Sequence, residues 1–195
     1  MNLLNKLTVL RIVLIPFMMF FYLAEFIPHG IGKIVALSIF IIAALTDLLD
    51  GKIARKYNLV TDLGKFLDPI ADKILTASVL FMIIADGTIP APYGAIVVTI
   101  IIAREFMVSA LRLIAASQGT VLAADIWGKA KTMVQMIALP VCMLIPFVLA
   151  LNAACWIVLT VKIAGFILLG IATLLTVISG INYLVKNRQC FKGSK

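Results

Sequence analysis

The stretch 46–73 reads TDLLDGKIARKYNLVTDLGKFLDPIADK, and it carries five of the chain's nine acidic side chains: Asp47, Asp50, Asp62, Asp68 and Asp72. On both sides of it the chain is mostly hydrocarbon. Of 195 residues, 63% are hydrophobic and 13% charged, whereas a soluble domain is nearer half apolar and a quarter charged. A soluble core of this size has no room for so much apolar surface, so lipid must cover the rest. A bilayer span takes roughly 20 mostly apolar residues, and six such segments follow one another at 7–27, 33–56, 66–86, 92–117, 129–150 and 155–186. The aspartate stretch is then the end of the second segment, a linker and the start of the third. Connections are short, and no repeat or low-complexity tract interrupts them. The expectation is an all-α integral membrane protein with a single transmembrane domain over 1–195 and no soluble module.

A net charge of +8 is compatible with nucleic-acid binding, but its distribution argues against that partner. Lys6, Arg11, Lys52, Arg55, Lys56, Lys65, Lys73, Arg112, Lys129, Lys131, Lys186, Arg188, Lys192 and Lys195 fall at alternate ends of the six segments. The other ends hold Lys33, with Lys162 slightly inside a span. This is the positive-inside bias, and it predicts six transmembrane helices with both termini and the aspartate stretch on the cytoplasmic side of a cell membrane. A basic rim there also suits anionic membrane lipids. The first segment lacks a small-residue cleavage site and reads as an uncleaved span rather than a secretory signal. Cys142, Cys155 and Cys190 have no metal-ligand spacing and read as free thiols. His29 reads as a solvated loop side chain.

Asp47 and Asp50, three apart, share a helix face near the inner end of the second span. Gly51 and Ala54 continue that face almost without side chains. Gly64 opens the next helix, where Asp68 and Asp72, four apart, share another face with Ala71 beside them. Two antiparallel helices joined by a short linker bring these four carboxylates together. Each aspartate at a helix centre costs roughly 2.5–3.5 kcal/mol on the insertion scale, and four unpaired ones also repel one another. Ionisable groups within a membrane face polar cavities and mark function. Clustered carboxylate oxygens are what magnesium and manganese prefer, and two such ions could hold phosphate oxygens for an in-line displacement. The competing reading pairs the aspartates with Lys52, Lys56 and Lys73 at the interface, but aspartate is too short to snorkel far. Asp62, in the linker, reads as a solvated or capping residue. Pro69, tolerated only in a first turn, predicts a third helix that begins close to Asp68 or bends there. Pro140 and Pro146 predict a bend in the fifth.

Read as D-x-x-D-G-x-x-A-R, eight residues, G-x-x-x-D-x-x-x-D, the segment resembles the signature of the CDP-alcohol phosphatidyltransferases, with no departure at a fixed position. Eight fixed positions at ordinary usages of roughly 5–8% match by chance on the order of 10⁻¹⁰ per start site, so the resemblance is specific. It extends beyond the segment. Asn5-x-x-Thr8-x-x-Arg11, AREFMVSALRLIA at 103–115 and WGKAKT at 127–132 are similar to the bacterial phosphatidylglycerophosphate synthases within that family. The resemblance implies a CDP-diacylglycerol donor, attack of an alcohol hydroxyl on the lipid-bearing phosphorus, and CMP as leaving group. It implies two divalent cations, Mg2+ or Mn2+, on Asp47, Asp50, Asp68 and Asp72, with Asp72 also taking the hydroxyl proton. Gly51 and Ala54 would admit the cytidine diphosphate, Arg55 would neutralise phosphate charge and Gly64 would clear space for the nucleotide. It also implies a homodimer. Asn5 and Thr8 are candidates for the border of the donor site, with capping and interfacial anchoring as the competing explanation.

The signature leaves the acceptor open, so the rest of the chain must choose. Arg104 lies near the middle of the fourth span, where a charge should face the interior. Arg112, on roughly the same face, and Lys129 and Lys131, opening the fifth span, would complete a cationic pocket for an acceptor that carries a phosphate. The expectation is therefore transfer of the phosphatidyl group to sn-glycerol 3-phosphate. Alternatives within the family are phosphatidylglycerol, giving cardiolipin, and inositol phosphate. A divalent-cation transporter is the alternative from another class, but its carboxylates should continue across the bilayer, and here the acid is concentrated at the inner end.

Overall fold

A computed structural model describes residues 3–24, 26–27, 30–57, 62–117 and 125–187, with the side chains of 3–4, 48–57, 62–63, 65–66 and 117 left out. Its helices are α1 (Leu3–Leu23), α2 (Ile31–Tyr57), α3 (Asp62–Ala85), α4 (Ala91–Ser117), α5 (Ile126–Ala150) and α6 (Cys155–Lys186). They coincide with the six apolar segments to within a few residues. No strand occurs among the described residues. Helix is what an apolar medium demands, because each backbone N–H and C=O must find its partner within the segment. At about 1.5 Å per residue, the 21 residues of α1 already match a hydrocarbon layer of about 30 Å. Among the described residues, α1, α4, α5 and α6 are long and apolar enough to cross a membrane.

The sequential pairs α1–α2, α3–α4 and α5–α6 pack against each other, while α1 bridges α2 and α3. α1 packs on α2 and α3, α5 packs on α6 and reaches α2 and α3, and α4 joins α3 to α6. The connection from α3 to α4 turns through Gly87, whose φ of 72° lies in the left-handed region that costs a side-chain-bearing residue most. Tyr22, Phe40, Val79, Met82, Ile83, Leu139 and Met143 are buried in the core between helices. Phe20, Phe81, Ile96, Leu113, Trp156 and Ile181 stand outward, the inside-out pattern that lipid permits. The run from Phe17 to Phe21 divides accordingly: Phe17 and Phe20 are exposed, and Met18 is buried.

One boundary differs from expectation. α3 begins at Asp62, and Pro69 lies inside it. The helix does not start near Asp68. Proline removes its own N–H bond to the carbonyl four residues back, and its ring crowds that carbonyl. Near a helix end that meets water, solvent can take that carbonyl, so the helix continues. α5 likewise runs through Pro140 and Pro146. At the other end of the bundle Lys33 pairs with Asp86. Its ammonium stands 4.2 Å over the ring of Tyr22, and Thr88 donates to Asp86 at 2.9 Å. This cluster ties α1, α2 and α3 together opposite the aspartate end. Cys142 is buried and Cys155 exposed, both free thiols. His29 and Cys190 lie outside the described residues.

Candidate active site

Two carboxylates of the aspartate stretch, Asp47 of α2 and Asp68 of α3, both meet α1. α1 presents a polar stripe to them. Asn5, Thr8 and Arg11, spaced three apart, are all buried, Thr8 and Arg11 at 2% exposure. The Thr8 hydroxyl donates to Asp68 Oδ1 at 2.7 Å, and Arg11 Nη1 donates to Asp47 Oδ1 at 2.6 Å. Three residues rise about 4.5 Å along a helix, so α1 holds a carboxylate of α2 and one of α3 about one turn apart. Arg11 thereby supplies a counter-charge that the spacing alone did not assign. A buried guanidinium needs such a partner, because an isolated charge is far more costly to bury than a paired one.

Asp72 lies one turn beyond Asp68 on α3. It lines a cavity of about 650 Å³ between α3, α4, α5 and α6. Arg104, Arg112 and Lys129 line the same cavity, so three of the four residues singled out for an acceptor phosphate share a space with Asp72. Lys131 is placed differently. It is not among the lining residues; it is 1% exposed and donates to Glu105, which does line the cavity. Arg104 threads past two glycines. A Cβ at position 128 would sit 3.2 Å from its Nη2, and one at position 180 would sit 3.2 Å from its Cγ. The absence of side chains at Gly128 and Gly180 is what lets the long arginine lie back toward the basic end. Its Nε is buried without a hydrogen-bond partner among the described residues. Arg112 Nε donates to the Tyr183 hydroxyl at 3.4 Å, and the guanidinium stands 5.8 Å from the Tyr183 ring centroid.

Gly64 is buried near the start of α3. The side chains of Asp50, Ala54, Arg55 and Asp62 and the surroundings of Gly51 lie outside the described residues. Among the described residues no three candidate metal ligands come together. Those present are suited to a hard cation in kind: Asp47 of α2 and Asp68 of α3 offer carboxylate oxygen on either side of α1, and each bond from α1 uses one oxygen of its carboxylate. The cavity also contains residues that the sequence reading did not single out, Ser109, Asp125, Gln135 and Tyr183. Gln135 had a signal, as an isolated amide in the apolar run after Lys131. Tyr183 had none, since a tyrosine near a helix end reads equally well as an interfacial anchor.

A family model described as CDP-alcohol phosphatidyltransferase matches residues 1–178. The chain is 40% identical to the CDP-diacylglycerol–glycerol-3-phosphate 3-phosphatidyltransferase of Bacillus subtilis, over 99% of this chain and 98% of that one. It is 36% identical to the enzyme of the same name from Rickettsia bellii, over 97% of each. It is 37% identical to a probable phosphatidylglycerophosphate synthase of Mycobacterium tuberculosis, over 95% of this chain and 81% of that one.

Proposed function

The chain belongs to the CDP-alcohol phosphatidyltransferase family, and on that premise we propose that it transfers the phosphatidyl group of CDP-diacylglycerol to sn-glycerol 3-phosphate, giving phosphatidylglycerophosphate and CMP. The observation that carries the acceptor is the cavity in which Asp72 shares a wall with Arg104, Arg112 and Lys129. A space with one carboxylate and three cations suits a small alcohol that carries a phosphate. The names of the relatives favour the same acceptor. The transporter reading finds no support in these matches, and phosphatidylglycerol and inositol phosphate remain the acceptors to test against.

Asp47, Asp50, Asp68 and Asp72 would hold divalent cations, two in number and Mg2+ or Mn2+ on the family resemblance. When bound, these ions supply charge neutralisation at the transferring phosphate. The residues of this chain do the rest. Arg104, Arg112 and Lys129 bind the acceptor phosphate and turn its free hydroxyl toward Asp72. Asp72 accepts the proton as that hydroxyl attacks the lipid-bearing phosphorus, and the bond to CMP breaks. Arg55 neutralises donor phosphate charge, Gly51, Ala54 and Gly64 make room for the nucleotide, and Asn5 and Thr8 border it. The Thr8 and Arg11 contacts of α1 add a further task, fixing Asp68 and Asp47 in place. Lys131 contributes through Glu105, whose negative charge it balances at the cavity wall.

In the same reading the whole chain, 1–195, is one catalytic domain with six membrane spans. Both termini and the active site are cytoplasmic in a cell membrane, and the protein works as a homodimer. The support for the topology is the alternation of Lys and Arg with helix ends, and the support for the homodimer is the family resemblance. The deciding experiment is incubation of the purified protein with CDP-diacylglycerol and a panel of acceptors while CMP release is measured. Glycerol 3-phosphate should be turned over far faster than glycerol, inositol phosphate or phosphatidylglycerol. Equal rates with glycerol would remove the case for a phosphate pocket.

A further inference from the structure

Gln135 is a buried polar side chain that the reaction as described leaves unused. It is 2% exposed, and neither its Oε1 nor its Nε2 has a hydrogen-bond partner among the described residues. It lines the cavity that holds Asp72, Arg104 and Lys129. Its neighbours argue against a packing role, since Ala138 and Leu139 on the next turn are wholly buried and apolar. A residue needed only to fill volume would be apolar too, because a buried amide without a partner weakens the fold. Nearby polar groups are already engaged. Lys131, one turn back, is held by Glu105. Thr76 turns its hydroxyl to the carbonyls of Asp72 at 3.1 Å and Lys73 at 3.2 Å on its own helix.

The depth of the amide indicates what it meets. α5 starts at Ile126 and rises about 1.5 Å per residue, which sets Gln135 roughly 9 Å deeper than Lys129. The Arg104 guanidinium lies back against Gly128. The cations therefore mark the shallow part of the cavity and the amide a deep part. A primary amide offers both donors and an acceptor, which complements a hydroxyl that donates and accepts at once. Resting on the reading that glycerol 3-phosphate is the acceptor, we propose that Gln135 binds its secondary hydroxyl, on C2. The phosphate is then gripped at the cationic end, and the C1 hydroxyl is presented to Asp72. Gln135 is thus a specificity-determining residue, through which the site tells a glycerol phosphate from a phosphate ester of a plain diol.

The test compares sn-glycerol 3-phosphate with 1,3-propanediol monophosphate, which lacks only the C2 hydroxyl, using full-length protein and CDP-diacylglycerol. Wild-type kcat/KM should favour glycerol 3-phosphate by about 5- to 150-fold, the range for leaving a buried hydrogen-bonding group unpaired. Gln135→Met, close in volume, should bring that ratio toward one by losing rate on glycerol 3-phosphate alone. The KM for CDP-diacylglycerol should not move. Without ligand, the thermal midpoint of Gln135→Met should equal or exceed that of wild type, whereas an amide bonded within the fold would make it fall. A wild type indifferent to the C2 hydroxyl, equal losses on both acceptors, a defect confined to the donor KM, or a lowered midpoint would each overturn the role of Gln135. A wild type with no turnover of glycerol 3-phosphate at all would instead sink the acceptor assignment on which this role rests.

Discussion

Removing the charge of Glu105 strands a lysine, and the structure sets the size of the effect. Glu105 and Lys131 form an ion pair whose side chains are 18% and 2% exposed, respectively. Breaking a buried pair from one side costs about 3–5 kcal/mol, because the remaining charge keeps its desolvation penalty and loses its partner. The two sides are not equivalent. Glu105→Gln leaves Lys131 charged and almost fully enclosed, whereas Lys131→Met leaves Glu105 at the wall of a polar cavity. Glu105→Gln should therefore fall at the upper part of that range and Lys131→Met below it. For a chain of this length 1 kcal/mol corresponds to about 2–4 °C, so a loss of about 4–5 kcal/mol lowers the midpoint of Glu105→Gln by about 8–20 °C. The double variant Glu105→Gln/Lys131→Met carries no stranded charge and should recover most of the loss, a coupling that a double-mutant cycle measures. The assay is thermal unfolding of purified protein in detergent, in a Cys155→Ser/Cys190→Ser background, followed by a thiol-reactive dye on Cys142, which is buried in the fold. The argument fails if Glu105→Gln moves the midpoint by less than about 3 °C, if Lys131→Met is the more damaging change, or if the double variant is no better than the worse single one.

Asp47→Asn, Asp50→Asn, Asp68→Asn and Asp72→Asn should each remove most CMP release, as should a chelator, reversibly on adding Mg2+ or Mn2+; full turnover by Asp68→Asn contradicts the metal assignment. Asp62→Asn should be far milder, and equal inactivity would show that the division of roles among the aspartates is wrong. Arg112→Ala and Lys129→Ala should raise the acceptor KM by about 10- to 150-fold, the loss expected for a charged hydrogen bond, and change the CDP-diacylglycerol KM less. A defect only in the donor KM would move both side chains to the pyrophosphate. Single cysteines placed in the 57–63 linker should label from the cytoplasmic side and Cys155, at the start of α6, from the other; the reverse result overturns the topology.

The sequence by itself determined the number and extent of the helices, because apolar runs of bilayer length leave the backbone no other way to satisfy its hydrogen bonds. It also determined the family, since the signature lies in the identity and spacing of a few residues, and a spacing is one-dimensional information. It singled out Arg104 on the same logic, as a charge too deep to be an interfacial anchor. What the tertiary structure decided is who meets whom. The carboxylates at Asp47 and Asp68 belong to different helices, and only the packing of α1 across α2 and α3 shows that Arg11 and Thr8 hold them. Lys129 and Lys131 are two residues apart and look interchangeable in a list of charges. Two residues turn a helix by roughly 200°, so one lines the cavity and the other is buried against Glu105. Gly128 and Gly180 acquire meaning only when the Arg104 side chain is seen passing between them. The start of α3 was beyond local rules as well, because the cost of Pro69 depends on what surrounds the carbonyl it leaves unpaired. Gln135 on α5 and Tyr183 on α6 are both far along the chain from Asp72 on α3, and no spacing records that they share a cavity with it. Such meetings are set by helix rotation and crossing, which depend on the fit of whole side-chain surfaces and not on any local run of residues.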